Sequence, residues 1–312
     1  MSKRPNVVVL MSDQQRLDTV GCYGLNDICK TPNIDALAER GVRFDAAFTP
    51  TAICSPARAS FYTGLYPHKH GVTGNGLCIN EGVQGVNHYL DEVGYRCGYA
   101  GKWHVDEETG PSGYGFTGQD FMGYAFPGSG LLPGLQFGAE PHGHNPYADY
   151  LKERGFDPPP NVTNRYVGTN PSNQAQEMFA LHDGPVESCI EYFVAEEANR
   201  VLDEIATDVE PFFLWANFWG PHSPSLVPEP YYSMYDPKDI REHPSYKETF
   251  EGKPYRQQLI EKLWGLGDYG WEGFQEIGAR YFGHCTLLDD MVGRVVAHLE
   301  KLGVLDNTII VY

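Results

Sequence analysis

This 312-residue chain is predicted to form an α/β fold: a doubly wound, mainly parallel sheet flanked by helices. Three observations carry that expectation. Continuously apolar runs rich in β-branched or aromatic residues recur at NVVVLM (6–11), FFLWAN (212–217) and TIIVY (308–312), as in strands covered on both faces. Between them lie segments with helical spacing of apolar residues and recognisable start and stop signals. Polar residues able to do chemistry gather just past the strands, and open α/β sheets bind ligands at strand carboxyl ends.

Asn6–Met11 is the first strand and ends in Ser12-Asp13-Gln14. Thr31-Pro32-Asn33 opens a helix, with Thr31 as cap, and Gly41 closes it. Val42–Phe44 is expected to return as a strand. Ser55–Tyr62 is helical and Gly64 ends it, placing Cys54 at the electropositive helix start with Arg58 one turn on, on the same face. Asn87–Val93 is a short helix, and Arg96–Gly101 a strand leading into Lys102-Trp103-His104. Residues 106–182, rich in Gly, Pro and aromatics, are too long for a passive connection and read as a folded insertion over the site. Val186–Ile205 is amphipathic, with Ile190, Phe193, Val201, Leu202 and Ile205 on its apolar side. Phe212–Asn217 delivers His222 at its end, and a second Pro/Tyr-rich insertion spans about 223–270. A long helix over 274–302 stops at Gly303 and leads to a last buried strand, Thr308–Tyr312. The reading is one domain over 1–312 with two insertions and no internal repeat.

Composition narrows the function. A hydrophobic content of 41% supports a substantial core. A formal charge of −18 argues against nucleic acid or an anionic membrane as partner, so an anionic substrate needs a local cationic pocket. The N-terminal MSKRPNVVVLMSD has too short an apolar run for a signal peptide or a membrane span, and a cytoplasmic location is expected. Seven Cys without a CxxC pair read as reduced thiols, with Cys54 the one in a reactive setting.

CSPAR at 54–58 admits several readings. It fits an ordinary helix start with a buried thiol. It does not fit a cysteine phosphatase loop, which needs Arg six residues after Cys, where this chain has Ser60. A protease-type nucleophile would need His and Asn or Asp nearby in space.

Taken together, NVVVLMSDQQ, TPNIDALAERGVRF, CSPARASFYTGLYPHKHG, GYRCGYAGKWH, GPHSP and LDDMVGRVVAHLEKLGVLDNTIIVY resemble the formylglycine-dependent sulfatases of the alkaline phosphatase superfamily. The resemblance runs from residue 6 to 312 and rests on several motifs in order. It implies that Cys54 is oxidised by a formylglycine-generating maturation enzyme reading C-x-P-x-R. A hydrated aldehyde carries two hydroxyls on one carbon. One, activated by a divalent cation, attacks sulfur; deprotonation of the other expels sulfate.

The resemblance also implies roles. Asp13 and Gln14 become metal ligands together with residue 54, Gln14 standing where many relatives have a second Asp; an amide oxygen still suits Ca²⁺. Arg58 orients the formylglycine, Lys102 binds it and the sulfate, His104 is the base for the collapse, and His222 meets the sulfate or leaving oxygen. His68 and His70 match the family's P-H-x-H-G ending, where packing is as good a reading as substrate contact. His142, His144, His182, Asp289 and Asp290 read as insertion polarity or surface charge. The implied substrate is a small-molecule or carbohydrate sulfate ester, with phosphonate monoesters or phosphodiesters as the alternative. In relatives the strand matching TIIVY runs into an Asp-His or Asp-Asn pair, a further Lys and a C-terminal subdomain. The 312 residues contain none of these, so the expectation is an incomplete domain that binds metal poorly and turns over little alone.

Overall fold

A computed structural model describes residues 4–121, 145–156, 162–167, 177–207, 209–264 and 269–312. Its strands are β1 (Asn6–Met11), β2 (Arg96–Gly101), β3 (Val162–Val167), β4 (Glu177–His182), β5 (Phe212–Asn217), β6 (Ser225–Pro228) and β7 (Thr308–Val311). Its α-helices are α1 (Pro32–Arg40), α2 (Cys54–Thr63), α3 (Pro67–His70), α4 (Val86–Glu92), α5 (Pro146–Glu153), α6 (Ile190–Ile205), α7 (Tyr255–Trp264) and α8 (Gly270–Lys301).

The main sheet has the order β2-β5-β1-β7 and every pairing in it is parallel. The apolar strand runs follow from burial on both faces. Val8, Leu10, Leu214 and Ala216 face a core shared with α6 and α8. Their alternates Val9, Phe213 and Trp215 face a second core with Ala59 and Tyr62 of α2 and with Leu90 of α4. In that second core Tyr62, Tyr99 and Trp103 meet edge to face, with ring centroids 5.5 and 4.9 Å apart at Trp103. Such pairs each add roughly 0.5–1.5 kcal/mol beyond area burial. The core therefore closes directly beneath the carboxyl ends of β2 and β5.

A second sheet, order β3-β4-β6, joins segments of the two long insertions. β4 runs antiparallel to β3 and parallel to β6. No helix among the described residues is long and apolar enough to cross a membrane.

Four sequence expectations are corrected. Val42–Phe44 forms no strand; Val42 is 78% and Phe44 69% exposed, and strand propensity in such a run expresses packing that is missing here. Among the described residues β7 lies at the sheet edge and is covered on one face only, with Ile309 and Val311 exposed. Thr31 does not cap α1: its hydroxyl accepts from Gly21 N–H and faces Asp35. The cap comes instead from Asp289 on α8, fully buried rather than a surface charge, which accepts from Asn33 N–H (3.0 Å), Asn33 Nδ2 (2.8 Å) and Ile34 N–H (2.8 Å).

Burial raises the Asp289 carboxyl to about 6, against the pull of those N–H donors. A raised carboxyl contributes stability below its unfolded value of 3.8 that is lost as pH climbs through about 6. Asp289→Ala is expected to cost roughly 2–4 kcal/mol in denaturant unfolding. The stability gap between wild type and Asp289→Asn, followed by thermal melts from about pH 4 to about pH 7, should narrow as pH rises through the folded value of about 6.

Candidate active site

Asp13 leaves the end of β1, and its N–H donates to the Gly220 carbonyl (3.0 Å), tying β1 to the loop after β5. Its buried Oδ2 accepts from Lys102 Nζ at 2.6 Å and from Arg58 at 3.2 Å. Lys102 arrives from the end of β2 and Arg58 from the second turn of α2, so three elements converge on one carboxylate. Burial raises the Asp13 carboxyl, but Lys102, then Arg58 and His222, outweigh it and hold it well below the usual carboxylate range. Burial lowers Lys102, with Asp13 opposing.

A backbone anchor fixes this group. The Lys102 carbonyl accepts from Tyr99 OH (2.6 Å), Arg58 (3.0 Å) and Asn217 Nδ2 (3.1 Å). Gly101 makes the bend, with φ +86° and a virtual Cβ 2.1 Å from the Asn217 carbonyl, so only glycine passes there. The Lys102 ammonium lies 4.3 Å from the Trp219 ring centre, and Trp219 contacts His222 at 5.1 Å between rings.

Cys54 opens α2 beside this knot, its helix start held by Asn75 accepting from Ser55 N–H (3.1 Å). Ligating atoms of Cys54, Asp13 and His222 lie within 4.8 Å of one another. His222 Nδ1 donates to the Ser223 carbonyl (2.5 Å), which leaves Nε2 as the acceptor of the neutral ring. Burial, then Lys102, lowers His222. Burial, then Lys102 and Arg58, holds His104 down to about 3, so His104 is neutral at neutral pH and within electrostatic reach of the whole group. Gln14 (φ 60°) and His104 (φ 47°) are both left-handed, a conformation that costs non-glycine residues roughly 1–3 kcal/mol and gathers at functional sites. Tyr281 pins the first of these turns, donating to the Gln14 carbonyl (2.7 Å) and accepting from Arg16 N–H (2.8 Å).

Beneath the loop sits a pair that sequence patterning leaves unmarked. His284 of α8 and Glu191 of α6, both fully buried, meet at 2.8 Å. Gly220 rests on them: a Cβ there would stand 2.4 Å from His284 Nε2 and 3.0 Å from Glu191. Asn217 and Trp219 carry no sequence mark beyond their place at and just past the end of an apolar strand. Asp106 accepts from Ile79, Glu108 and Thr109 N–H groups and from Tyr114 OH, anchoring the loop after His104.

Other candidates fall elsewhere. His70 is buried, donating from Nε2 to Ser60 (3.0 Å) while Nδ1 accepts from Val72 N–H, which is a packing role. His68 stacks on Tyr66. His182 is buried against Ser188 (2.7 Å), and Asp290 accepts from Tyr231. His142 and His144 lie outside the described residues. All seven cysteines are free.

The donors present suit a hard divalent cation in kind. Asp13 keeps Oδ1 clear of Lys102 and Arg58, which both use Oδ2, and the Gln14 amide oxygen stands next in sequence. Asp13 and Gln14 offer one carboxylate and one amide oxygen of the roughly six to eight oxygens that calcium takes, whereas Cys54 as a thiol offers sulfur and would add an oxygen only once oxidised.

A parallel sheet whose strand ends bring an Asp, a Lys and two His to a Cys and an Arg from the first two turns of a helix gives the chain an alkaline phosphatase/sulfatase-like fold. The chain belongs to the sulfatase family, whose model matches residues 5–312. It is 27% identical to the sulfatase YidJ of Escherichia coli (strain K12), over 99% of this chain and 56% of that protein. It is 27% identical to the N-acetylglucosamine-6-O-sulfatase of Bacteroides thetaiotaomicron, over 100% of this chain and 58% of the other. Among solved structures it superposes on the phosphonate monoester hydrolase of Agrobacterium radiobacter with TM-score 0.71 and 25% identity, over 98% of this chain and 61% of that one. The chain thus spans less than two thirds of the length of these relatives.

Gly220→Ala is expected to push the loop off the Glu191–His284 pair, costing roughly 1–3 kcal/mol of stability. Because that loop carries His222 and accepts from Asp13, kcat/KM should fall further than Tm loss explains; steady-state kinetics well below the variant's Tm reads this out.

Proposed function

We propose that this chain carries the catalytic core of a formylglycine-dependent sulfate-ester hydrolase, matured at Cys54 by a formylglycine-generating enzyme. The observation that supports this reading most is Cys54 at a helix start, clustered with Asp13 and His222 above a buried Lys102–Asp13–Arg58 knot. Hydrated formylglycine supplies geminal hydroxyls, one to attack sulfur and one whose deprotonation releases sulfate. A divalent cation, calcium in this reading, would sit on Asp13, Gln14 and residue 54 and supply positive charge that favours the ionised oxygen.

The chain's own residues do the rest. Lys102 and Arg58 present fixed cations to an anionic ester inside a protein of net charge −18. Burial excludes water, so each contact is stronger than at the surface. His104, proton-free at neutral pH, is ready to take the proton that the second hydroxyl gives up. His222 turns Nε2 to the substrate. An anionic group bound there raises its proton affinity, so the ring donates to the leaving oxygen once it has picked up a proton.

Two observations favour a second reading, a phosphonate monoester or phosphodiester hydrolase: Gln14 follows Asp13, and the fold superposes on a phosphonate monoester hydrolase. Sulfate and phosphonate monoesters share a single negative charge and tetrahedral shape, so the cluster accepts either. Relative kcat/KM on aryl sulfate and aryl phosphonate esters separates the two.

Mass spectrometry of the peptide bearing Cys54, from protein made with its maturation enzyme, should show the aldehyde or its hydrate. An unmodified thiol together with no turnover contradicts the proposal. His104→Ala should lower kcat by roughly 10²–10⁴-fold.

A further inference from the structure

Trp219 sits between the two anchor points of the loop that carries His222. Before it, Phe218 N–H donates to the Met11 carbonyl (2.8 Å); after it, the Gly220 carbonyl accepts from Asp13 N–H (3.0 Å). Both neighbours of Trp219 are thus tied to the end of β1. His222 N–H closes the turn on the Trp219 carbonyl (3.4 Å), and Gly220 rests on the buried Glu191–His284 pair. From this clamped backbone the buried indole makes two contacts with the site. Its ring centre lies 4.3 Å from the Lys102 ammonium, and it meets the His222 ring at 5.1 Å and 48°.

Lys102 has reason to need a second holder. Its ammonium rides on a flexible four-carbon stem, and its ion pair is with Asp13 Oδ2 at 2.6 Å. That same oxygen also accepts from Arg58 at 3.2 Å, so it serves two cations that repel each other across it. A second carboxylate would hold the ammonium but would also neutralise the charge that an anionic ester needs. The negative face of an indole attracts the ammonium and leaves its net charge in place. The attraction is strongest where water is excluded, as around buried Lys102. His222 is held from two sides in the same way: the Ser223 carbonyl takes Nδ1, and the indole braces the ring that points Nε2.

We propose that Trp219 is a positioning residue: its indole holds the Lys102 ammonium by a cation–π contact and braces the His222 ring, so that both groups meet the anionic ester in fixed places. The inference rests on the ester-hydrolase reading of the cluster and adds a residue to it. Trp219 takes no proton in the reaction; it acts through Lys102 and His222. Core packing alone would ask only for apolar bulk at this position, whereas holding a cation asks for the negative charge on the ring face. The two roles therefore respond differently when that charge is withdrawn and the shape is kept.

The test uses matured full-chain protein in which Trp219 alone is replaced by a graded series of ring-fluorinated tryptophans. Fluorine drains negative charge from the ring face and nearly preserves its shape. With 4-nitrophenyl sulfate as substrate, kcat/KM should fall stepwise along the series, roughly tenfold in all, at unchanged Tm. Trp219→Phe, which keeps a π face, should retain more kcat/KM than Trp219→Leu when each is assayed well below its Tm. Proton–carbon NMR of the Lys102 side chain, assigned by its loss in Lys102→Met, reads the contact without turnover. Its ε-methylene protons should be shifted upfield by the ring in wild type and return to the ordinary lysine position in Trp219→Leu. A series that is flat or rises, Phe and Leu variants of equal activity, or an unshifted Lys102 signal in wild type overturns the inference and leaves the ester-hydrolase reading standing. Wild type that hydrolyses no sulfate or phosphonate ester, yet shows the shifted Lys102 signal, overturns the ester-hydrolase reading and leaves the hold of Trp219 on Lys102 standing.

Discussion

The structure depends on one buried ion cluster: the Asp13 carboxylate between the Lys102 ammonium and the Arg58 guanidinium. Charges removed from water persist only when each has its partner, and deleting one member of such a group costs roughly 3–5 kcal/mol. Each member comes from a different element, the ends of β1 and β2 and the second turn of α2. Their mutual need fixes the sheet edge against the helix that opens with Cys54. The cluster both locks the architecture and creates a cationic pocket in an acidic protein.

Around it the backbone is shaped to deliver side chains rather than to minimise strain. Gln14 and His104 adopt left-handed conformations, pinned by Tyr281 and by the Asp106 loop. The loop with Trp219 and His222 rests through Gly220 on the Glu191–His284 pair. The same desolvation that strengthens Lys102 toward an anion keeps His104 and His222 proton-free. On this account the site is charged where it would meet an anion and neutral where it would handle protons.

Much of this was legible in the sequence. β1, β2 and β5 declare themselves because burial on both faces demands unbroken apolar runs, and α2 because Gly64 and the residues before it carry plain helix signals. Asp13, Lys102 and His222 were legible as neighbours because strand order in such sheets gathers carboxyl ends. Features set by long-range partners were hidden. Asp289 replaces Thr31 as the cap of α1 from 256 residues away. Glu191 and His284 look like ordinary helix residues until Gly220 lies on them. Val42–Phe44 reads as a strand and Thr308–Tyr312 as a buried one because a run of apolar residues does not reveal whether a neighbour covers it.

The central claim is that Asp13 is held ionised by Lys102 and Arg58, and carbon-13 NMR of the Asp13 carboxyl carbon tests it most directly. Followed downward from neutral pH for as long as the fold persists, wild type should show no protonation step in the ordinary carboxylate range, and Lys102→Met should move the step upward into or above that range. An ordinary carboxylate titration of Asp13 in wild type, unmoved by loss of Lys102, would contradict the account.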